Sequence, residues 1–148
     1  YLYWHDDSSK IGLLSLQIKN ATMNKVKFEI EFPIHASPSM LYQHFSTPSG
    51  LEEWFADKAN SRGKVITFYW DDSEEQATII SKKNGEKARY KWIESGDDES
   101  YFEFRIQVDE ITKDVSLMVT DFAEEDEVEE SKMLWENQID ELKHRIGA

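Results

Sequence analysis

Four histidines, 30 carboxylate side chains and no cysteine bound the chemistry open to this 148-residue chain. Without cysteine, disulfides and thiolate catalysis are excluded. His5, His35, His44 and His144 stand far apart in the chain, and none belongs to a His-Glu-x-x-His helix or another metal-ligand spacing. No metal site, catalytic triad or cofactor is therefore expected, and no glycine cluster has the form of a phosphate-binding loop. Asp71-Asp72 and Asp97-Asp98 read as turn residues, because they lack the alternating acids of a calcium loop. Asp121 is the carboxylate with a chemical option. It lies in phase with Val115, Leu117 and Val119, so it points inward or sits at the wet end of a strand. Burial would raise its pKa and suit it to acid–base work. The rim of the sheet is the commoner place for such a residue.

The richer constellation is aromatic: Trp54 and Phe55, Phe68 and Trp70, Tyr90 and Trp92, Phe102 and Phe104, and Trp135. In each of the last three pairs the members are two residues apart, so on a strand both point to one face. Together with Asp121 and Ile139, these residues describe a pocket with aromatic walls and few polar groups to orient a guest. The same rings could equally close on one another as a core, since aromatic side chains pack well without any cavity.

These side chains need elements to hold them. Over 124–145, Val128, Trp135, Ile139, Leu142 and, just beyond, Ile146 recur at spacings of seven, four, three and four. At about 100° per residue they share an arc of roughly 60° on one helix face. Acids from Glu124 to Glu130 crowd the start of this helix and Lys143, His144 and Arg145 its end, as the helix dipole favours. From Lys25, Val26, Phe28, Ile30 and Phe32 alternate with lysine and glutamate, the pattern of a half-buried strand. Ser37-Pro38 and Thr47-Pro48 then each start a short helix. The first is expected to bury Met40, Leu41 and Phe45, and the second to run through Leu51, Trp54 and Phe55. After a loop at 60–63 come five strand-like runs, 64–70, 76–81, 87–93, 101–108 and 114–122, separated by turn residues that include Asn84-Gly85.

Composition agrees with one folded domain: 39% of residues are hydrophobic and 13% aromatic. A net charge of −13 repels phosphate backbones and anionic membranes, which argues against nucleic-acid binding. No apolar run approaches the ~20 residues of a membrane span, and the absence of cysteine points to a reducing, cytoplasmic setting. Residues 1–22 differ from the rest, balancing two acids with two lysines around an apolar cluster that fits neither helix nor strand period. Met23 reads as the natural start, with 1–22 a non-native extension or an extra arm and 23–148 the domain.

One strand, two short helices, five strands and a long helix resemble the helix-grip layout of the START-like superfamily. The likeness is carried by Ala36-Ser37-Pro38, by Pro48-Ser49-Gly50-Leu51-Glu52-Glu53-Trp54-Phe55, by Ala88-Arg89-Tyr90-Lys91-Trp92 and by Val115-Ser116-Leu117-Met118-Val119-Thr120. In detail these are similar to the group named after the activator of the Hsp90 ATPase. Arg62-Gly63-Lys64 stands where that group often has a Gly-Gly turn. The resemblance implies an α+β fold: a curved, six-stranded antiparallel sheet around the C-terminal helix. It also implies a hydrophobic cavity of the kind that holds lipids or polyketides.

The function that follows is a non-enzymatic module holding a small apolar or amphipathic ligand between sheet and helix. The alternative is a co-chaperone-type interaction module acting through its surface on a protein partner, or as a homodimer. An enzyme of the cyclase or hydratase kind would have to rely on Asp121.

Overall fold

Alternation of charged residues with Val26, Phe28, Ile30 and Phe32 makes Lys25–Pro33 an extended strand, β1. In the computed structural model, which describes residues 25–96 and 98–148, β1 pairs antiparallel with β7 (Val115–Glu124) from Lys25↔Glu124 to Pro33↔Ser116. The expectations placed on residues 1–22, on Met23 and on Asp97 lie outside the described residues. After β1 come helix α1 (Pro38–Ser46), helix α2 (Pro48–Leu51), β2 (Lys58–Arg62), β3 (Val65–Trp70) and β4 (Ser73–Lys83). Then follow β5 (Lys87–Trp92), β6 (Phe102–Val108), β7 and helix α3 (Val128–Ile146). The fold is α+β, a seven-stranded antiparallel sheet in the order β1-β7-β6-β5-β4-β3-β2 with a C-terminal helix, consistent with the helix-grip layout.

That order has a consequence for the site. Strands β2 to β7 form a meander, but β1 lies at the β7 edge. The chain must therefore travel from one edge of the sheet to the other between β1 and β2, and this crossing segment, residues 34–57, carries α1 and α2. Both helices start on the expected caps. Ser37 Oγ accepts from Met40 N at 3.2 Å and Thr47 Oγ1 from Gly50 N at 3.0 Å, each with proline in the first turn. The Phe104 ring of β6 meets Phe45 of α1, Trp54 of the crossing segment and Trp135 of α3 at 5.6, 5.7 and 5.6 Å, so all three cover one face of the sheet.

Several expectations are corrected. The sheet has seven strands rather than six, because part of the expected loop at 60–63 belongs to β2, paired with β3 from Lys58↔Tyr69 to Arg62↔Val65. Lys58, Asn60, Ser61 and Arg62 are exposed and only Ala59 is buried, so no apolar alternation announces this strand. The legible signal is the turn: Gly63, at φ 62, opens a two-residue hairpin loop. β4 is longer than 76–81 and carries a register shift between Ile79 and Ser81. The last helix begins at Val128 rather than 124, since β7 runs through Glu124 and residues 125–127 form a 3-10 turn. Pairing of Glu124 with Lys25 holds the chain extended at a point where the acidic sequence is silent about period. In α1, Met40 is 44% exposed and Tyr42 is buried in its place beside Leu41 and Phe45. α2 stops at Leu51, so Trp54 and Phe55 lie in the turns after it, where the amides of Phe55 and Ala56 both donate to Leu51 O.

Close approach of α1 and α2 sets a sharp test. A Cβ on Gly50 would fall 2.1 Å from Gln43 O and 2.6 Å from the His44 Cα, both backbone atoms that cannot swing aside. Gly50→Ala is expected to lower unfolding stability by ~1–3 kcal/mol or more. Gly63→Ala meets nothing within 4 Å and costs only the strain of its φ of 62, about 1 kcal/mol. Urea denaturation of the two variants checks the ranking.

Candidate functional site

Between sheet and helices lies a layer of rings. Phe55 sits at its centre, with centroids 5.0 Å from Phe68 of β3, 5.8 Å from Phe102 of β6 and 6.1 Å from Trp135 of α3. Trp92 stacks on Phe102 at 4.9 Å, and Phe102 on Tyr90 at 5.1 Å. Phe55, Phe68, Tyr90, Phe104, Trp135 and Ile139 are completely buried, Trp54 and Trp70 nearly so, and Trp92 is half-buried. Each strand pair does point to the helix-covered face. These side chains meet one another in offset-stacked and edge-to-face geometries, which add to the area they bury.

The polar edges of these rings are tied to specific acceptors. Trp54 Nε1 donates to His44 O at 2.8 Å and Trp70 Nε1 to Phe55 O at 3.2 Å. Tyr90 Oη donates to Phe45 O, and burial, with Tyr42 nearby, pushes its hydroxyl pKa well above the ordinary value. Trp135 Nε1 donates to Asp121 Oδ2 at 2.9 Å, and Phe122 N to Asp121 Oδ1 at 2.7 Å. Asp121 is thus inside rather than at the wet rim, 4% exposed. Burial pushes its pKa up to about 7 against the lowering effect of those two hydrogen bonds. His44 is occupied structurally: Nδ1 donates to Met40 O at 2.8 Å and Nε2 lies 3.3 Å from Glu53 Oε2. Among the described residues, Glu124, Asp126 and Glu127 bring carboxylate oxygens within 4.8 Å of one another. They lie just before α3, where the dipole of the helix favours negative charge.

Concave space opens beside the ring layer. A partly open cleft of about 480 Å³ lies between the turn 52–57 and the C-terminal half of α3. Trp54, Phe55 and Ala56 supply its apolar wall. Glu52, Glu53 and Asp57 on one side, and Asn137, Glu141 and Arg145 on the other, supply its polar rim. Gln138 also lines it, although 3% exposed, and its Oε1 has no hydrogen-bond donor. Of the residues expected from sequence, Trp54 and Phe55 reach this cleft. Phe68, Trp70, Tyr90, Trp92, Phe104, Trp135 and Ile139 are not among its lining residues, and neither is Asp121. Gln138 was legible only as an interruption: positions 131, 135, 138 and 142 follow helical spacing, and at two of them the buried residue is polar.

The Asp121–Trp135 pair makes stability depend on pH with a definite sign. The unfolded carboxyl titrates near 4. The folded one titrates at about 7, so the neutral acid is favoured by folding. Its contribution is whole below about pH 4 and is lost as pH rises through 7, a change of up to about 4 kcal/mol. Asp121→Asn, which cannot ionise, should therefore gain on the wild type between pH 5 and pH 8 in urea unfolding. An identical difference at both pH values would mean that Asp121 ionises at its ordinary pKa.

Comparison with known proteins places this geometry. The model of the START-like superfamily domain matches residues 22–148. A solution structure of BfR322 from Bacteroides fragilis is similar at 35% identity over 82% of this chain and 91% of that one, with a TM-score of 0.63. The Aha1 dimer from Colwellia psychrerythraea matches at 18% identity over 80% and 93%, with a TM-score of 0.65. A crystal structure from Mesorhizobium loti matches at 15% over 82% and 97%, with a TM-score of 0.66. Among curated proteins no match is found. Together with the seven-stranded sheet and its C-terminal helix, the family match over nearly the whole described chain means that this protein belongs to the START-like superfamily.

Proposed function

We propose that the domain is a non-enzymatic binding module for a small amphipathic molecule, seated in the cleft between the turn 52–57 and α3. The observation that carries this reading is the cleft itself, where the ring-backed turn carrying Trp54, Phe55 and Ala56 meets a polar rim of Glu52, Glu53, Asp57, Asn137, Glu141 and Arg145. A volume of about 480 Å³ is within the range of sites for drug-sized molecules. Burial against the aromatic wall would supply ~25 cal/mol per Å² removed from water, and the rim would fix orientation.

This reading shifts the guest from the space between rings to the space beside them. The rings Phe68, Trp70, Tyr90, Trp92, Phe104 and Trp135, with Ile139, then act as the rigid backing that holds Phe55 and Trp54 in place. The carboxylates of the cleft, Glu52, Glu53, Asp57 and Glu141, sit on its polar rim, and Asp121, which is not among the lining residues, serves to anchor Trp135. Among the described residues no helix is long and apolar enough to cross a membrane, and we assign the module to the cytoplasm on its lack of cysteine.

Native mass spectrometry of the purified protein is expected to show an added mass of roughly drug size, a few hundred daltons. Asn137→Trp, at an exposed rim position, should fill the cleft and abolish that mass while leaving unfolding stability within about 0.5 kcal/mol. A bare wild-type mass, with no thermal shift across a panel of amphipathic compounds, would instead favour a surface-acting interaction module.

A further inference from the structure

We infer that the outer edge of β1 is a dimer interface, taking a second copy of this chain in antiparallel register about a twofold axis at Phe28. Among the described residues β1 is an outer strand of the sheet and borders only β7. Its register with β7 runs without a shift from Lys25 to Pro33. Ile34 N donates to Val115 O at 3.0 Å, in step with that register. Antiparallel pairs alternate between bonded and non-bonded, so the even-numbered residues of β1 turn their backbone groups to β7. The backbone groups of Lys25, Lys27, Glu29 and Glu31 therefore point out of the edge. Nine extended residues without a bulge, with proline only at the last, form a template for another strand. The opposite edge is guarded: β2 has five residues, and its Ala59 amide is taken by Glu52 Oε1 at 3.3 Å.

Charge selects what covers this edge. The side chains of Lys25, Lys27, Glu29 and Glu31 share the sheet face away from the helices, two cations followed by two anions. Within one chain, like charges are neighbours on that face. Turned antiparallel about Phe28, Lys27 comes opposite Glu29 of the second copy and Lys25 opposite its Glu31, and symmetry repeats both pairs. These are the residues whose backbone groups point outward on both copies, so the hydrogen-bond pattern permits the register. A twofold at Lys27 would set Lys27 against Lys27, one at Glu29 would set Glu29 against Glu29, and one at Ile30 would set Glu29 against Glu31. On the other face the Phe28 register puts Val26, 39% exposed, beside the half-buried Ile30 of the second copy. Some of these charges have partners already. Lys25 Nζ lies 3.0 Å from Asp98 Oδ2, and Glu31 Oε2 accepts from Ser116 Oγ at 2.8 Å. Glu29 Oε2 accepts from Thr120 Oγ1 at 3.1 Å, with Arg105 Nη2 3.5 Å away. Lys27 is exposed and has no ion partner among the described residues, so the Lys27–Glu29 pairs carry the selectivity.

Sedimentation equilibrium of the full chain tests this. A strand-edge contact is small, so the expected result is a monomer–dimer equilibrium with a Kd of roughly 10–100 µM. Amide exchange followed by NMR should slow several-fold at Lys27, Glu29 and Glu31 between about 10 µM and about 1 mM protein, while the amides of β2 do not change. Lys27→Glu and Glu29→Lys each set like charges opposite one another and should weaken the dimer by about tenfold or more. An equimolar mixture of the two variants restores opposite charges in the heterodimer, and Lys27→Glu with Glu29→Lys in one chain restores them in the homodimer. Both should return to the affinity of the wild type. Glu29→Lys gives up the contacts with Thr120 and Arg105, so unfolding of each variant is followed alongside. Lys27→Glu removes no such contact, and with the exchange readout it decides the case if Glu29→Lys does not fold. A chain that stays monomeric to about 1 mM would overturn the proposal. So would a dimer that Lys27→Glu leaves unchanged, since its interface would lie elsewhere.

Discussion

Each polar edge in a dry layer of rings must find an acceptor, and that requirement organises this molecule. Where those edges are recorded, the acceptors fall on the elements that most need to be held. Tyr90 of β5 reaches Phe45 O, Trp70 of β3 reaches Phe55 O, and Trp54 reaches His44 O. All three carbonyls belong to the segment that crosses from the β1 edge to the β2 edge. That segment has only thirteen residues in regular helix, and its backbone bonds to the sheet lie at its two ends, from Ile34 N to Val115 O and from Asp57 N to Tyr69 O. Hydrophobic burial is strong but without direction, whereas hydrogen bonds made in a low-dielectric layer fix position. Burial holds the crossing segment down, and the ring handles decide where it lies.

The fourth handle does the same for α3. Trp135 Nε1 reaches Asp121 on β7, the strand that immediately precedes the helix. A carboxyl at 4% exposure is an expensive acceptor for an indole, since a backbone carbonyl would serve without the burden of a titrating group. β7 pairs with β1 along its length and with β6 from Val115 to Thr120, so its carbonyls point along the sheet rather than out of its face. A side-chain acceptor is the remaining route, and a short one keeps Trp135 close to the strand.

Much of this was legible in the residues, and the failures have physical causes. The stripe Trp135, Ile139 and Leu142 and the alternation of Phe102 and Phe104 report burial directly, because period and environment coincide there. β2 escaped because a strand whose one buried residue is Ala59 owes its form to pairing with β3, a contact no local pattern encodes. The helix start escaped for a related reason: Glu124 to Glu130 are acidic whether extended or helical, and only pairing with Lys25 separates the two. Asp121 was placed in phase correctly, but its depth depended on which partner waited inside. The cleft itself was not legible. It joins residues 52–57 to 137–145, two stretches about 80 positions apart whose polar members look like ordinary surface.

Asp121 and Gln138 are both polar groups buried at or near the helix, and they differ in how far their polar atoms are satisfied. Asp121 has partners on both oxygens, so its burial is explained by the fold it stabilises. Gln138 Oε1 has none. An aliphatic side chain at 138 would continue the apolar face set by Trp135, Ile139 and Leu142 and would relieve the unsatisfied acceptor. Ser131, the other polar residue on the buried face of α3, is small enough to be accommodated at little cost, whereas a glutamine carries both bulk and polarity. The unpartnered acceptor is a stability cost at one position on the buried face of α3. The ring layer then has two tasks that need not conflict: it must be closed enough to hold the helix and firm enough that Trp54 and Phe55 present a fixed wall to whatever enters beside it.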